Sequence, residues 1–188
     1  MTTVPGTDEL VRLVDAAVEK DRVTDTVETI KGELCRLIRS SLIDLPPEFT
    51  TPAEGHYARR LLYKDDDKGY SIVVMTWGPG QKTPIHDHSG MWCVEGVWGG
   101  SIDVQQYELT EKTNGHYSFE PRNSYEAGVG SAGCLIPPFE YHSISNPCDK
   151  TTAISVHIYG GEMKCCNVFE RQQDGTYTRS EHPLGYDS

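Results

Sequence analysis

Beyond Pro46-Pro47 the chain changes texture, and that change constrains its fold more than any other feature. Runs rich in β-branched and aromatic residues are cut at short intervals by Gly, Pro, Asn and Asp: Arg60–Tyr63, Tyr70–Trp77, Trp92–Val97, Ser101–Tyr107, Tyr117–Glu120, Leu135–Ile136, Thr152–Ile158 and Asn167–Phe169. Each reads as a strand bounded by turns. Short strands at regular spacing build a β-sandwich or barrel. Before the prolines, residues from about Asp8 to Leu45 read as helical. Leu10, Leu13, Val14, Ala17 and Val18 recur at helical spacing, and so do Val27, Ile30, Leu34, Leu37, Ile38 and Leu42. The proline pair stops any helix. The chain has no internal repeat, low-complexity tract or linker. At 188 residues it is expected to form one all-β barrel domain with a small N-terminal helical segment, the helices over about 8–45 and the barrel over about 57–170.

Charge narrows the partners. With 17 basic and 28 acidic residues the net charge is −11, which repels phosphate backbones and anionic lipid heads, so neither nucleic acid nor membrane is expected as a partner. Nor does the sequence suggest an obligate protein partner. No apolar run has the length of a membrane span. The opening Met1-Thr2-Thr3-Val4-Pro5-Gly6 has neither a basic n-region nor an apolar h-region. A cytoplasmic location is expected. The six cysteines (Cys35, Cys93, Cys134, Cys148, Cys165, Cys166) are irregularly spaced and form no CxxC pair. They read as reduced thiols, without a disulfide framework or structural zinc site.

The chemistry concentrates in His86-Asp87-His88 and the distant His142. Two histidines one residue apart share a face of a strand, so both rings can enter one cavity. A third imidazole would complete a neutral three-nitrogen face on a metal, leaving other positions open for substrate. Gly80 followed after five residues by His86-x-His88 resembles the first motif of the cupins, which Gly100 closes, with Cys93 where that motif carries a glutamate. His142-x-x-x-Asn146, preceded by Pro137, resembles the second motif, although Ser131 and Phe139 stand at its glycine positions. Without the glutamate, three neutral imidazoles leave the full charge of a dication available to anionic ligands.

Ser155-x-His157-x-Tyr159 puts a hydroxyl, an imidazole and a phenol on one strand face, with Val156 and Ile158 on the other. Such a row can form a hydrogen-bonded relay that aims the phenol into the cavity. Of the adjacent Arg59 and Arg60, at most one should enter the pocket.

From about Tyr57 to Phe169 the chain resembles the thiol dioxygenases, and within them the cysteine dioxygenase family. The resemblance rests on Tyr57-Ala58-Arg59, Trp77-Gly78, the His86/His88/His142 set, Cys93, Ser155-x-His157-x-Tyr159, and Cys166 before Asn167-Val168-Phe169. It implies a jelly-roll-like cupin and one non-haem iron(II) per chain on His86, His88 and His142. It further implies oxidation of L-cysteine by O2 to cysteine sulfinic acid. In that likeness Arg59, beside Tyr57, grips the substrate carboxylate, and Tyr159, oriented by His157 and Ser155, serves the oxygen side of the reaction. Cys93 cross-links to Tyr159 through a thioether, and Cys166 lines the site. Cys35, Cys134, Cys148 and Cys165 read as structural, and His56, His116 and His182 as solvated or loop residues. Rival readings are a dioxygenase of 3-mercaptopropionate or mercaptosuccinate and a non-enzymatic metal-binding cupin. Two segments depart from the family: Gly160-Gly161-Glu162, where many members carry Ser-Pro-Pro, and the bulky Met91-Trp92.

Overall fold

The computed structural model describes residues 4–188; Met1–Thr3, the start of the segment read above for a targeting signal, lie outside the described residues. Two helices come first, α1 (Thr7–Val18) and α2 (Val23–Arg39), then a single turn, α3 (Pro47–Thr50). Strands follow: β1 (Ala58–Asp65), β2 (Tyr70–Trp77), β3 (Ile85–His86), β4 (Cys93–Gly99), β5 (Ser101–Thr113), β6 (His116–Gly128), β7 (Ala132–Leu135), β8 (His142–Ser145), β9 (Ala153–Tyr159), β10 (Cys165–Arg171) and β11 (Tyr177–Pro183). One sheet has five strands in the order β1-β2-β9-β4-β7; the other six close on themselves in the order β10-β11-β6-β5-β8-β3. The fold is an all-β cupin with a small helical segment.

Each helix buries one stripe. Leu10, Val14 and Ala17 of α1 and Val27, Ile30, Leu34, Leu37 and Ile38 of α2 are buried. They form one core with Ile72, Val74, Val94, Val156 and Ile158 from the outer face of the five-stranded sheet. Gly96 permits this approach, since a Cβ there would lie 2.7 Å from Leu34 Cδ2. The inner face carries Val73, Met75, Trp77, Cys93 and Tyr159. Alternation along β2, β4 and β9 therefore separates a helix-covered face from a face turned into the barrel.

The helical stretch read over about 8–45 is broken twice. The polar run Glu19-Lys20-Asp21-Arg22 separates α1 from α2, and α2 ends at Arg39, with Ser41 at φ 54°. Ile43 and Leu45 are buried beyond the helix. Pro47 starts a turn instead of only ending one, which suits a residue whose missing N–H is not needed at the first helical position. β5 and β6 run several residues past the expected strands as a mostly exposed hairpin, and β11 was not expected. Their exposed polar residues lack the apolar alternation by which strands are read. No helix among the described residues is long and apolar enough to cross a membrane.

Candidate metal centre and substrate pocket

β3 and β8 pair with His86 opposite His142. Ring centroids lie 4.6 Å apart for His86 and His142, 4.9 Å for His88 and His142, and 5.4 Å for His86 and His88. Ligand atoms of all three lie within 4.8 Å of one another. His86 and His88 were expected on one strand, but β3 ends at His86 and His88 follows in a loop. That loop is pinned by Asp87, whose carboxylate accepts from the Asn167 backbone N–H (2.9 Å) and Nδ2 (2.7 Å), while the His88 N–H donates to Glu140 Oε2 at 2.9 Å.

The donors suit a cation. His86 Nδ1 lies 3.1 Å from the Pro84 carbonyl, a contact only an N–H can make, so its Nε2 carries a lone pair. That lone pair faces His142 Nε2 at 3.1 Å. Burial keeps the rings neutral: it lowers His86 below the ordinary imidazole range, and burial with neighbouring imidazoles holds His88 and His142 well below it. Three neutral, convergent nitrogens are what a divalent metal with open positions requires.

The centre opens into a cavity of about 250 Å³ whose walls include Tyr57, Arg59, Trp77, His157, Tyr159 and Cys166. Arg59 and Arg60 diverge. Arg59 pairs with Met75 and reaches the cavity; Arg60 turns the other way, where its Nη1 donates to Thr76 Oγ1 at 3.4 Å. The chain beyond β11 holds Arg59 in place. Its Nη1 donates to the Gly185 carbonyl (2.8 Å), its backbone N–H donates to Asp187 Oδ2 (2.7 Å), and its guanidinium lies 5.5 Å from the centre of the Tyr186 ring. Nε and Nη2 remain buried without a partner. Tyr57 stacks on Trp77 at 4.6 Å.

The row on β9 is partly connected. Trp77 Nε1–H donates to Ser155 Oγ at 2.9 Å, and Ser155 Oγ lies 2.7 Å from His157 Nε2. His157 and Tyr159 are stacked at 6.0 Å between centroids, a spacing that alternate residues of one strand impose, and the imidazole's other nitrogen faces Glu95. Burial, followed by the Arg59 charge, pushes His157 down to about 3, whereas burial, followed by the neighbouring Cys93, pushes Tyr159 well above the usual phenol range. Cys93 stands opposite Tyr159 in the β4–β9 register, its thiol pushed up by burial. Cys166 lines the cavity, its thiol raised to about 11 by burial. All six cysteines are free.

Several site residues were missed from the sequence. Glu95 is buried opposite His157 on β4, and burial pushes its carboxyl up to about 8. Strand alternation places it on the face of Cys93, the one signal that could have found it. Cys93, Glu95 and His157 also bring ligand atoms within 4.8 Å. Glu140 and Asp87 act through contacts to distant segments, Glu140 to the His88 N–H and Asp87 to the Asn167 N–H and Nδ2, that no spacing reveals. His182, read as solvated or in a loop, is exposed but lies on β11 and borders the cavity. His56 and His116 are exposed and bond Asp187 and Thr176.

The two unusual segments fit each other. A Cβ on Gly160 would lie 2.3 Å from Trp92 Nε1, and one on Gly161 would lie 2.9 Å from Met91 Sδ. Gly160 N–H also donates to the Trp92 carbonyl at 3.0 Å.

The family profile described as "Cysteine dioxygenase type I" matches residues 48–172, the segment that contains every residue of this centre except His182 and the strap on Arg59. The chain belongs to the cysteine dioxygenase family. Among curated members, cysteine dioxygenase type 1 of Danio rerio is 20% identical over 62% of this chain and 57% of its own length. The Rattus norvegicus protein is 22% identical over 62% and 56%. The Bos taurus protein is 21% identical over 77% and 72%. The chain thus spans little more than half the length of the first two. Solved structures with a similar shape include a Klebsiella pneumoniae protein with a double-stranded β-helix domain (20% identity, 69% of this chain, 97% of that one, TM-score 0.49). An oxalate oxidase with a substrate analogue, glycolate, is also similar (20% identity, 58% and 53%, TM-score 0.44).

Proposed function

We propose that this chain is a thiol dioxygenase that converts L-cysteine and O2 to cysteine sulfinic acid, with one iron(II) per chain held by His86, His88 and His142. The observation that carries the reading is one cavity walled by three neutral imidazoles and by a buried arginine with two unpartnered nitrogens. Iron(II), when bound, would supply the acidity that ionises the substrate thiol and the electrons that activate O2. The balance is one thiol plus one O2 giving one sulfinic acid, both oxygen atoms ending on sulfur.

The chain's own groups do the rest. Arg59 Nε and Nη2 receive the substrate carboxylate as a two-point, charge-assisted contact, so the α-amino acid arrives with its sulfur toward the histidines. Tyr57 stacked on Trp77 forms an apolar wall that excludes water from that end. Ser155 and His157 fix one another, and Tyr159, kept protonated by burial, is a hydrogen-bond donor for the oxygen side. The Cys93–Tyr159 register suits a thioether formed by loss of two hydrogens to O2. Such a link would hold the phenol rigid and leave its hydroxyl free. The proposed compartment is the cytoplasm, where thiols stay reduced. His86→Ala tests the reading: bound iron and thiol-dependent O2 uptake should fall together, and wild-type uptake in that variant would refute it.

A further inference from the structure

Glu95 has no part in the reaction as described, yet it lies directly behind it. Its Oε1 is 3.7 Å from His142 Nδ1, and its Oε2 is 3.6 Å from His157 Nδ1. Among these four atoms, Oε2 and both Nδ1 atoms are buried without a hydrogen-bond partner. Each carboxylate oxygen thus faces one imidazole, and a shift of well under roughly 1 Å brings both pairs into hydrogen-bond range. A buried carboxyl that makes no bond is a cost to folding, and groups of this kind concentrate where function uses them.

We propose that Glu95 is a positioning residue that accepts the Nδ1 protons of His142 and His157 together, two bonds that favour the ionised carboxylate against its burial. This inference rests on the three-histidine metal site proposed above but not on the identity of the thiol. Holding Nδ1–H on His142 leaves its Nε2 lone pair for the metal, beside the lone pair that the Pro84 carbonyl leaves on His86. Holding Nδ1–H on His157 makes its Nε2 the acceptor of the Ser155 hydroxyl proton, which suits a serine already accepting from Trp77 Nε1–H. One carboxylate then sets two tautomers, and it ties a metal ligand to the row that carries Tyr159. Outer carboxylates of this kind orient metal-binding imidazoles and raise their basicity.

The test uses Glu95→Gln and Glu95→Leu. The side chain borders a second cavity of about 220 Å³ that also touches Val97, Val104 and Tyr125, so the variants have space to settle. Cobalt(II) affinity is measured by chelator competition, thermal unfolding on the metal-free protein, and tautomers by nitrogen-15 histidine spectra. The wild type should bind one cobalt per chain and show Nδ1–H tautomers at His142 and His157. Both variants should bind cobalt about 10–100-fold more weakly, with altered signals at those two rings and no loss of Tm in Glu95→Leu. Three results would overturn the inference: wild-type affinity in both variants, a fall in Tm with the affinity of the folded protein unchanged, or Nε2–H tautomers in the wild type. A second cobalt lost on Glu95→Leu would also overturn it, assigning Cys93, Glu95 and His157 a metal of their own. Failure of the wild type to bind cobalt would instead strike the three-histidine site, and so separates the two claims.

Discussion

Arg59 shows how much of this site depends on what a side chain lacks. Its backbone and one terminal nitrogen are held by the chain after β11, and the two remaining nitrogens, Nε and Nη2, are buried without partners. A hydrogen bond between charged partners contributes about 1.5–3 kcal/mol. Arg59→Gln should therefore raise KM for cysteine by about 10-fold or more, and at least as much for 3-mercaptopropionate, which carries the same carboxylate and has no amine to add a second anchor. Unchanged kinetics for cysteine would remove the arginine from substrate binding. Cys93 makes a second prediction at this scale. Denaturing mass spectrometry after turnover should show a species two hydrogens lighter, absent in Cys93→Ala. A single unshifted mass after many turnovers would eliminate the thioether.

At the scale of elements, the β9–β10 connection and the loop before β4 act as a matched pair. Trp92 and Met91 occupy the volume that side chains at 160 and 161 would need. Gly160→Ala should lower stability by about 1–3 kcal/mol through overpacking, and the double variant with Trp92→Ala should lose less than the sum of the two single losses. Additive losses in the double variant would show that the two positions do not share space. The same scale explains what could be read in advance. Tyr70–Trp77 was read to the residue, because every residue of β2 is buried and all but Ser71 are apolar, aromatic or β-branched. The ends of β5 and β6, and most of β11, are built from exposed polar residues held by backbone ladders, and these leave no pattern in the sequence. His86 and His142 carried a spacing signal, as did the face of β9. Glu95 shared the period-2 signal of Cys93 but had no motif to draw attention to it. Glu140 and the strap on Arg59 depend on contacts between distant segments, which local spacing cannot express.

Across the whole molecule, the helices seal the outer face of the five-stranded sheet, and the closed ring of strands supplies two of the three histidines. The cavity lies between the two layers. Its walls come from β1, β2, β3, β8, β9, β10 and β11, so the site requires the complete barrel. In the proposed function, a small thiol, O2 and the metal would meet in this one cavity. The most direct measurement is anaerobic loading with iron(II), addition of L-cysteine, and exposure to oxygen-18 gas with mass analysis of the product. The expected product is cysteine sulfinic acid carrying two oxygen-18 atoms, with one O2 consumed per thiol and none consumed by the His86→Ala protein. Sulfinic acid with a single labelled oxygen, disulfide as the sole product, or equal O2 uptake by the His86→Ala protein would contradict the proposed function.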